Sequence, residues 1–409
     1  LILQDDDKHS VSLTTAFPFV KGKPLNLRDI EQGLDQINRL ASNNASMEVS
    51  PGAVPGASII KIRNTPAFPL SASVTLNNLG SKSTGEHQGS VTLSLDNSLR
   101  MNDFITYTHS GTLFEPSSFR NSKSNSFFYS LPLGFWTLQQ SYSFSDYRTP
   151  VPTSTRTLVA RGDSESFRTE LNKVVYRDQD QKLTTLLAVN RKSSKNYLDD
   201  EFLNVSSRNL TVLDLDLKWT RRFPGLSLNL GLGWSKGLSW FNALKDEDDI
   251  DATAPHGQGA RFRYSGGVQV PFAVLGQGVS FSSQLSGQYA NQPLFGSEQI
   301  TIGSFYSVRG FNRNSLSGDR GYFARNELST TLPKLPYVDI TPRPFLGFDA
   351  GRIQKYESTD SASLSGAAAG IRFAGKHLSA ELSVVKSLAV PDSIERESEQ
   401  YFATLTASF

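Results

Sequence analysis

The chain has 409 residues, with 41 lysine and arginine residues against 39 aspartate and glutamate residues, so its formal charge is only +2. This balance argues against a nucleic-acid-binding protein, which needs an excess of positive charge. The lack of cysteine excludes disulfide scaffolds, thiolate metal sites and cysteine nucleophiles. No apolar run approaches the about 18 residues of a transmembrane helix. The polar mean hydropathy of −0.32 is still compatible with a transmembrane β-barrel, because lipid-facing and lumen-facing residues alternate there.

Residues 1–66 differ from the rest and favour a small α+β module. Between residues 26 and 40 apolar side chains recur at spacings of three and four, which predicts an amphipathic helix with Asn26 as its N-cap. Two short strands are predicted at residues 45–50 and 57–63, joined by a loop with two Pro-Gly pairs. The apolar stripe of the helix includes Leu27, Ile30, Leu34 and Ile37.

From residue 67 to residue 409, alternation with period two replaces the helical pattern. In residues 211–219 and 226–234, leucine and tryptophan alternate with polar or small residues. These runs reach about nine residues, the length of a tilted strand that crosses a bilayer. Tight turns such as residues 223–225 contrast with long polar connections such as residues 241–259. Together these features favour a transmembrane antiparallel β-barrel of about 16 strands over a soluble β-sandwich.

The chain ends in an aromatic residue on an alternating strand. Residues 401–409 place Tyr401 and Phe409 on one face, together with the small or apolar residues between them. A final strand of this kind resembles the assembly signal of bacterial outer-membrane proteins, so Tyr401 and Phe409 are predicted to serve biogenesis by the barrel assembly machinery.

The strongest local motifs surround a Gly- and Ser-rich loop at residues 292–321. The tetrapeptide Val308, Arg309, Gly310 and Phe311 is followed by a Gly-Asp-Arg-Gly-Tyr run at residues 318–322 and by a strand with Asp-Ala-Gly at residues 349–351. With the terminal Phe409, these motifs resemble the Omp85 superfamily. They are most similar to its two-partner secretion transporters (TpsB type), which export filamentous haemagglutinins, haemolysins and contact-dependent inhibition toxins.

This resemblance implies roles for particular residues. Arg309 corresponds to the arginine of a loop that folds into the barrel, and Asp349 to its partner on the barrel wall, so the pair is expected to act as a latch. At residue 347 the family usually has an aromatic side chain, whereas this sequence has glycine and places Phe348 next to it. Further support of the loop is expected from Gly318, Asp319, Gly321, Tyr322, Glu327, Phe348 and Gly351.

The resemblance also implies an architecture and a function. Residues 1–66 resemble the second periplasmic POTRA domain of these transporters, with a tentative substrate site at Leu27, Ile30, Leu34 and Ile37. Residues 67–409 would form the barrel in the outer membrane of a Gram-negative bacterium. A plug helix, a linker and a first POTRA domain would precede Leu1. The expected cargo is a large β-helical exoprotein from the same gene pair, and the expected surroundings are lipid and lipopolysaccharide around a monomer.

Two other functions are compatible with part of these motifs, and two local patterns match enzymatic or metal-binding motifs only in spacing. An Omp85-type barrel insertase would use the seam between the first and last strands, and it usually carries more POTRA domains. A passive porin leaves the POTRA resemblance unexplained. The Gly-x-Ser-x-Gly match at residues 233–237 lies in an alternating strand rather than a strand–turn–helix, and the acidic run at residues 246–251 lacks the glycine and glutamate of a calcium loop. No metal site, cofactor or enzymatic activity is therefore predicted.

Overall fold

The computed structural model describes residues 2–5, 11–18, 22–24, 26–114, 117–356 and 358–409. Residues 1, 6–10, 19–21 and 25 of the predicted N-terminal module lie outside the described residues. In this module β3 is the central strand, parallel to β1 and antiparallel to β2. The elements of the module are β1 (Ile2–Asp5), α1 (Leu13–Ala16), α2 (Leu27–Asn38), β2 (Ala45–Pro51) and β3 (Ser58–Asn64).

The structure confirms the predicted helix and the two predicted strands of this module. The Asn26 side chain accepts a hydrogen bond of 3.0 Å from the backbone N–H of Arg28, which is the expected N-cap. One face of α2 supplies the fully buried Ile30 and Ile37 to a core that also contains Phe17 from the end of α1. The apolar spacing of α2 is therefore the spacing of a core-facing stripe.

A closed antiparallel barrel of 16 spanning strands follows, as the alternation predicted. The short strand β11 (Glu201–Phe202) extends one hairpin, and β16 (Ile300–Ile302) and β17 (Leu316–Gly318) form a separate two-stranded pair. The spanning strands are β4 (Leu70–Asn77), β5 (Gln88–Asp96), β6 (Phe104–Thr112), β7 (Asn121–Leu133), β8 (Trp136–Pro152), β9 (Thr157–Arg177), β10 (Gln181–Leu198), β12 (Arg208–Phe223), β13 (Leu226–Leu238), β14 (Ala260–Val274), β15 (Gln277–Ala290), β18 (Arg320–Thr330), β19 (Ile340–Gln354), β20 (Ser361–Gly375), β21 (Leu378–Ala389) and β22 (Gln400–Ser408).

Burial along the strands follows the period of two. On β12, Leu215 and Leu217 are exposed on the outer surface, whereas Asp214 is buried on the inner surface. At the end of the chain, Tyr401 of β22 and Phe409, just after it, are among the most exposed apolar residues, whereas Phe402 is buried. An apolar outside and a polar inside are the arrangement that a lipid bilayer requires of a barrel.

Neither helix in the described part of the chain is long and apolar enough to cross a membrane.

The two rims of the barrel differ in the length of their connections. The rim next to the N-terminal module has mostly tight turns, such as Pro224-Gly225 between β12 and β13. The opposite rim carries the long connections, including residues 239–259 and 291–319. This difference puts the module on the periplasmic side of the barrel and the long connections on the extracellular side.

Candidate functional site: a loop folded into the barrel

The connection between β15 and β18, residues 291–319, folds into the barrel; we call it the lumenal loop. It contains a short hairpin of β16 (Ile300–Ile302) and β17 (Leu316–Gly318). Val308 and Phe311 are almost completely buried and pack against Ile353 of β19 and Leu364 of β20. The loop therefore has its own hydrophobic contact with the inner wall, formed by residues that flank Arg309.

Arg309 and Asp349 form a buried, two-pronged ion pair, which is the predicted latch geometry. Arg309 Nε donates to Asp349 Oδ2 at 2.6 Å, and Nη2 donates to Oδ1 at 2.8 Å. The backbone N–H of Arg309 adds a third bond to Oδ2 at 3.1 Å. Arg309 is 2% exposed and Asp349 is 0% exposed. A buried guanidinium is tolerable only with such a partner, and the forked geometry fixes its orientation as well as its charge.

A second acid extends this pair into a network on the barrel wall. Arg309 Nη1 lies 3.4 Å from Glu327 Oε2 on β18. Glu327 also forms a two-pronged pair with Arg372 of β20, whose Nη2 donates to Oε2 at 2.9 Å. Arg372 in turn pairs with Glu381 of β21 at 2.8 Å. The predicted support residue Glu327 thus links the loop arginine to β18, β20 and, through Arg372, β21.

Glycine at residue 347 makes room for the guanidinium, which explains the departure from the family pattern. A Cβ atom on Gly347 would lie 2.8 Å from Arg309 Cζ and closer still to Nη2. The aromatic contact comes instead from Phe345, two positions earlier on the same face, whose ring centroid is 6.0 Å from Arg309 Cζ. Phe348 points outward and is 51% exposed, so its predicted role in supporting the loop is corrected. Strand alternation requires this, because neighbours on a strand face opposite sides.

The loop also needs glycine at its closest approach to the wall. Gly310 has a φ of +102°, and a Cβ atom there would lie 2.6 Å from the carbonyl carbon of Lys386. On the facing strand, a Cβ atom on Gly366 would collide with the carbonyl oxygen of Arg309. Any larger residue at these positions would push the Arg309 backbone away from Asp349.

Asp319 fastens the base of the lumenal loop. Its Oδ1 accepts from the backbone N–H of Leu294 at 2.7 Å and from Gln299 Nε2 at 3.1 Å, and its Oδ2 accepts from the N–H of Tyr356 at 2.8 Å. Asp319, at the C-terminal end of the loop, is therefore bonded both to the N-terminal end of the loop and to the connection between β19 and β20. The supporting role of Asp319 stays a prediction.

The other predicted support residues divide into two groups. Gly318, Gly321 and Gly351 lie where a Cβ atom would come within about 3 Å of the facing backbone or of Phe323, so they permit the close packing of β17, β18 and β19. Tyr322 is 45% exposed on the outer surface, so its predicted role in the loop is corrected for the same reason as that of Phe348. Alternation along β18 turns Phe323, rather than Tyr322, towards the loop.

Glu298 is an anchor that the sequence analysis missed. It lies near the start of the lumenal loop and is 8% exposed. Lys192 Nζ of β10 donates to Glu298 Oε1 at 2.6 Å, and Arg261 of β14 pairs with Oε2. These cations lie on strands other than β19, which carries Asp349. Nothing in the local sequence marks Glu298, because its partners are more than 30 residues away in the chain.

The predicted substrate-binding stripe of α2 is not available to a ligand. Ile30 and Ile37 are fully buried, Leu34 packs against the same core, and only Leu27 is exposed, at 51%. The prediction is corrected for these three core residues: an apolar stripe on a small α+β module is needed for its own core. On the opposite, polar side of α2, Gln32 and Gln36 are also buried.

That polar face docks on the periplasmic turns of the barrel. Gln32 and Gln36 both donate to the carbonyl oxygen of Gly134, at 3.1 and 2.7 Å. Arg39 donates to the carbonyl oxygens of Asn102 and Ser130, both at 2.9 Å. Burial lowers the pKa of Arg39 to about 10, so it is still a cation at neutral pH. The module is therefore held to the β5–β6 and β7–β8 turns by buried polar contacts.

Charged contacts extend the docking surface to the end of β9. Arg177 Nη1 donates to Asp35 Oδ2 at 2.6 Å and to Gln32 Oε1 at 2.9 Å, and its Nε lies 3.7 Å from Glu31. On the other side, the Asn102 side chain donates to the Ser12 carbonyl oxygen at 2.7 Å. Three periplasmic turns thus contact one face of the module.

The terminal residues lie where the sequence placed them. Tyr401 and Phe409 face outward on β22, and β22 pairs with β4 to close the barrel. The assembly-signal role of Tyr401 and Phe409 stays a prediction. Among the described residues there is no group of histidine, aspartate and glutamate side chains that could hold a metal ion.

Comparison with known protein families identifies both the barrel and the N-terminal module. Residues 56–373 match the family described as haemolysin secretion/activation protein ShlB/FhaC/HecB. The chain belongs to this family. Residues 1–51 match the POTRA domain, so the N-terminal module is a POTRA domain. Membership places the barrel in the outer membrane, with the POTRA domain on its periplasmic side.

Individual relatives agree with this placement. The chain is 33% identical over 383 residues to the outer membrane transporter CdiB of Dickeya dadantii (strain 3937), covering 92% of this chain and 67% of the relative. It is 31% identical over 338 residues to the hemolysin transporter protein ShlB of Serratia marcescens, covering 82% and 59%. The solved structure of CdiB from Escherichia coli superposes on the whole chain with a TM-score of 0.93 and 32% identity, and 76% of that structure is covered. The chain thus spans about two thirds of the length of the curated relatives it matches.

Proposed function

We propose that this protein is the outer-membrane transporter of a two-partner secretion pair: it passes a secreted exoprotein through its barrel and opens by releasing the lumenal loop. The observation that carries the proposal is the buried ion pair between Arg309 and Asp349, which holds a long loop inside a closed barrel. The family, the POTRA domain and the transporter relatives support it. No catalytic activity is assigned.

The physical chemistry of the pair suits a reversible latch. Inside the wall the pair is dry and its geometry is fixed, so the docked loop is well defined. When the loop leaves, both charged groups regain water, and this hydration offsets much of the lost attraction. A buried ion pair therefore specifies one docked position without making release prohibitively costly. An apolar anchor of the same size would lose that compensation, because it would be exposed to water on release.

The POTRA domain receives the cargo in this proposal, but through its sheet rather than through the stripe of α2. Strand β2 is an edge of the three-stranded sheet, and Glu48 and Val49 on it are exposed. An exposed edge presents unpaired N–H and C=O groups that an extended peptide can join as a further strand. We propose that the amino-terminal part of a β-helical exoprotein binds here. The further partners are outer-membrane lipid and lipopolysaccharide, with barrel assembly machinery during biogenesis and a monomer as the working unit.

Secretion of the exoprotein from the same gene pair tests the proposal. We expect Arg309→Ala to reduce export strongly at equal membrane abundance. Arg309→Lys keeps the positive charge but loses the two-pronged geometry of the guanidinium. Export by this variant should therefore lie between export by the intact protein and export by Arg309→Ala. Arg313→Ala is the matched control, because Arg313 is an exposed cation of the same loop whose side chain lies away from Asp349. Normal export by Arg309→Ala would contradict the latch, and no export by the intact protein would contradict the transporter.

An Omp85-type insertase is the second candidate, and the closing strand pair is the observation that favours it. Strands β22 and β4 share a short register from Ser408↔Ser73 to Thr404↔Asn77, extended by backbone hydrogen bonds between Phe409 and Ala72, whereas the register of β9 and β10 runs from Lys182↔Arg177 to Leu198↔Ala160. A short pairing is a natural place for a barrel to open sideways.

A single disulfide separates the two functions. Thr75 and Thr406 lie opposite each other in this seam, with their hydroxyls 2.9 Å apart, and the chain has no cysteine of its own. Oxidised Thr75→Cys/Thr406→Cys should abolish assembly of other barrels by an insertase but leave export by a transporter largely intact. The reduced form of the same variant is the control.

A further inference from the structure

The tip of the lumenal loop has a second attachment, independent of Asp349. Glu397, in the connection between β21 and β22, accepts hydrogen bonds from the backbone N–H groups of Asn312, Arg313 and Asn314. The distances to Oε1 are 3.2, 3.0 and 2.9 Å. Consecutive N–H groups turned towards one centre form a concave anion site that fits a carboxylate.

Glu397 is itself held in place by its neighbours. Ser387 Oγ donates to the Glu397 carbonyl oxygen at 3.0 Å, and Gln400 Nε2 donates to Glu397 Oε2 at 2.6 Å. The same Gln400 nitrogen lies 3.5 Å from the carbonyl oxygen of Gly310, next to Arg309. The carboxylate is thus fixed by β21 and β22 before it meets the loop.

Other contacts bring the loop tip to the same corner of the barrel. Asn314 Nδ2 donates to the carbonyl oxygen of Glu395 at 3.2 Å, and Asn312 Nδ2 donates to that of Gly80, in the connection after β4, at 3.3 Å. Inside the barrel, the ring of Phe305 stacks edge-on against Phe402 of β22, with centroids 5.2 Å apart. The tip therefore rests on the extracellular connections on both sides of the closing seam.

We propose that Glu397 is a second latch residue: a positioning residue that holds the tip of the lumenal loop from the extracellular side, so that opening requires release from both Asp349 and Glu397. The inference rests on the proposed function of the loop as the gate. The two attachments are chemically different. Asp349 holds a side chain, whereas Glu397 holds only backbone N–H groups, so the identities of residues 312–314 matter little to it. This is why no sequence motif marks the site.

The two attachments also differ in their exposure to solvent. The pair of Arg309 and Asp349 is almost completely buried. Glu397 is only partly buried and lines a cavity together with Lys82, Arg313 and Arg396. The contacts of Glu397 are therefore open to solvent on the extracellular side, whereas the pair of Arg309 and Asp349 is shielded from solvent.

Channel opening in planar lipid bilayers tests the inference without any cargo. Hydrogen bonds to a charged group are strong enough that removal of the Glu397 charge should raise the ratio of open to closed channels about tenfold. We expect this increase for Glu397→Gln, partial recovery for Glu397→Asp, and a larger increase for the double variant with Arg309→Ala. Glu399→Gln is the matched control, because Glu399 lies two residues away and pairs with Lys386 instead of the loop. All variants must show the same heat-dependent gel mobility of a folded barrel.

The outcomes separate this inference from the proposed function. Equal opening of Glu397→Gln and Glu399→Gln, with increased opening of Arg309→Ala, would overturn the second latch and leave the first intact. Increased opening of Glu397→Gln in a protein that exports nothing would uphold the second latch and count against the transporter. A double variant that opens no more than Arg309→Ala alone would show that Glu397 has no separate hold on the loop and would also overturn the inference.

Discussion

Replacing Asp349 with asparagine should release the lumenal loop without unfolding the barrel. The change keeps the shape of the side chain and removes the charge that balances Arg309, which is 2% exposed. Removing one partner of a buried pair costs about 3–5 kcal/mol. Glu327 remains 3.4 Å from Arg309, so we take the lower end, about 3 kcal/mol. That corresponds to a shift of about a hundredfold in the equilibrium between the docked and released loop.

Thiol labelling measures this shift directly. Ser307 lies in the loop, is 5% exposed and is close to cysteine in size, and the protein has no other cysteine. Ser307→Cys should react slowly with a membrane-impermeant maleimide while the loop is docked, and up to about a hundred times faster when Asp349→Asn is added. Asp216→Asn is the matched control, because Asp216 of β12 is a lumenal carboxylate that pairs with Arg263 of β14, at 2.8 Å, and has no bond to the loop arginine. Equal labelling rates in the two backgrounds would refute the reasoning.

Three further changes test other parts of the structure. Gly347→Ala should displace the Arg309 guanidinium and increase labelling of Ser307→Cys, whereas Gly267→Ala, whose Cβ would meet Asn229 at an ordinary 3.8 Å, should not. Ile37→Ala should destabilise the POTRA core by about 2–5 kcal/mol, whereas Leu27→Ala should destabilise it by less than about 0.5 kcal/mol. Hydrogen exchange in the intact protein measures both values, and equal effects would contradict the assignment of Ile37 to the core. Arg177→Ala should weaken the docking of the POTRA domain on the barrel by about 1 kcal/mol and so speed proteolysis of residues 65–69. The control is Arg63→Ala, which removes an exposed ion pair. Unchanged proteolysis of Arg177→Ala would show that the Arg177 contacts do not stabilise the docked domain.

The position of the POTRA domain follows from the way α2 uses both of its faces. The apolar face completes the POTRA core and the polar face carries Gln32, Gln36 and Arg39 to the barrel turns. Much of both faces of α2 is therefore occupied within this chain, whereas β2 remains an edge of the sheet.

The sequence by itself determined the features that depend on local periodicity. The spacing of three and four specified α2 and its N-cap, since a helix places those residues on one side. The period of two specified the barrel and its outward aromatic residues, including Tyr401 and Phe409, since a strand crossing a bilayer has one face in lipid. The motifs around Arg309 and Asp349 indicated the latch through family resemblance, and the geometry agrees with it.

The tertiary structure decided which residues meet. Gly347 and Phe345 share the inner face with Asp349 while Phe348 faces lipid, and the motif alone did not separate these positions. Glu298 and Glu397 are ordinary acidic residues in polar connections, and each becomes an anchor only because barrel closure brings distant partners to it. The stripe of α2 became core rather than a binding surface because the neighbouring strands cover it. Periodicity is a property of one segment of chain, whereas a buried ion pair is a property of two segments. Only the closed barrel fixes the distance between them.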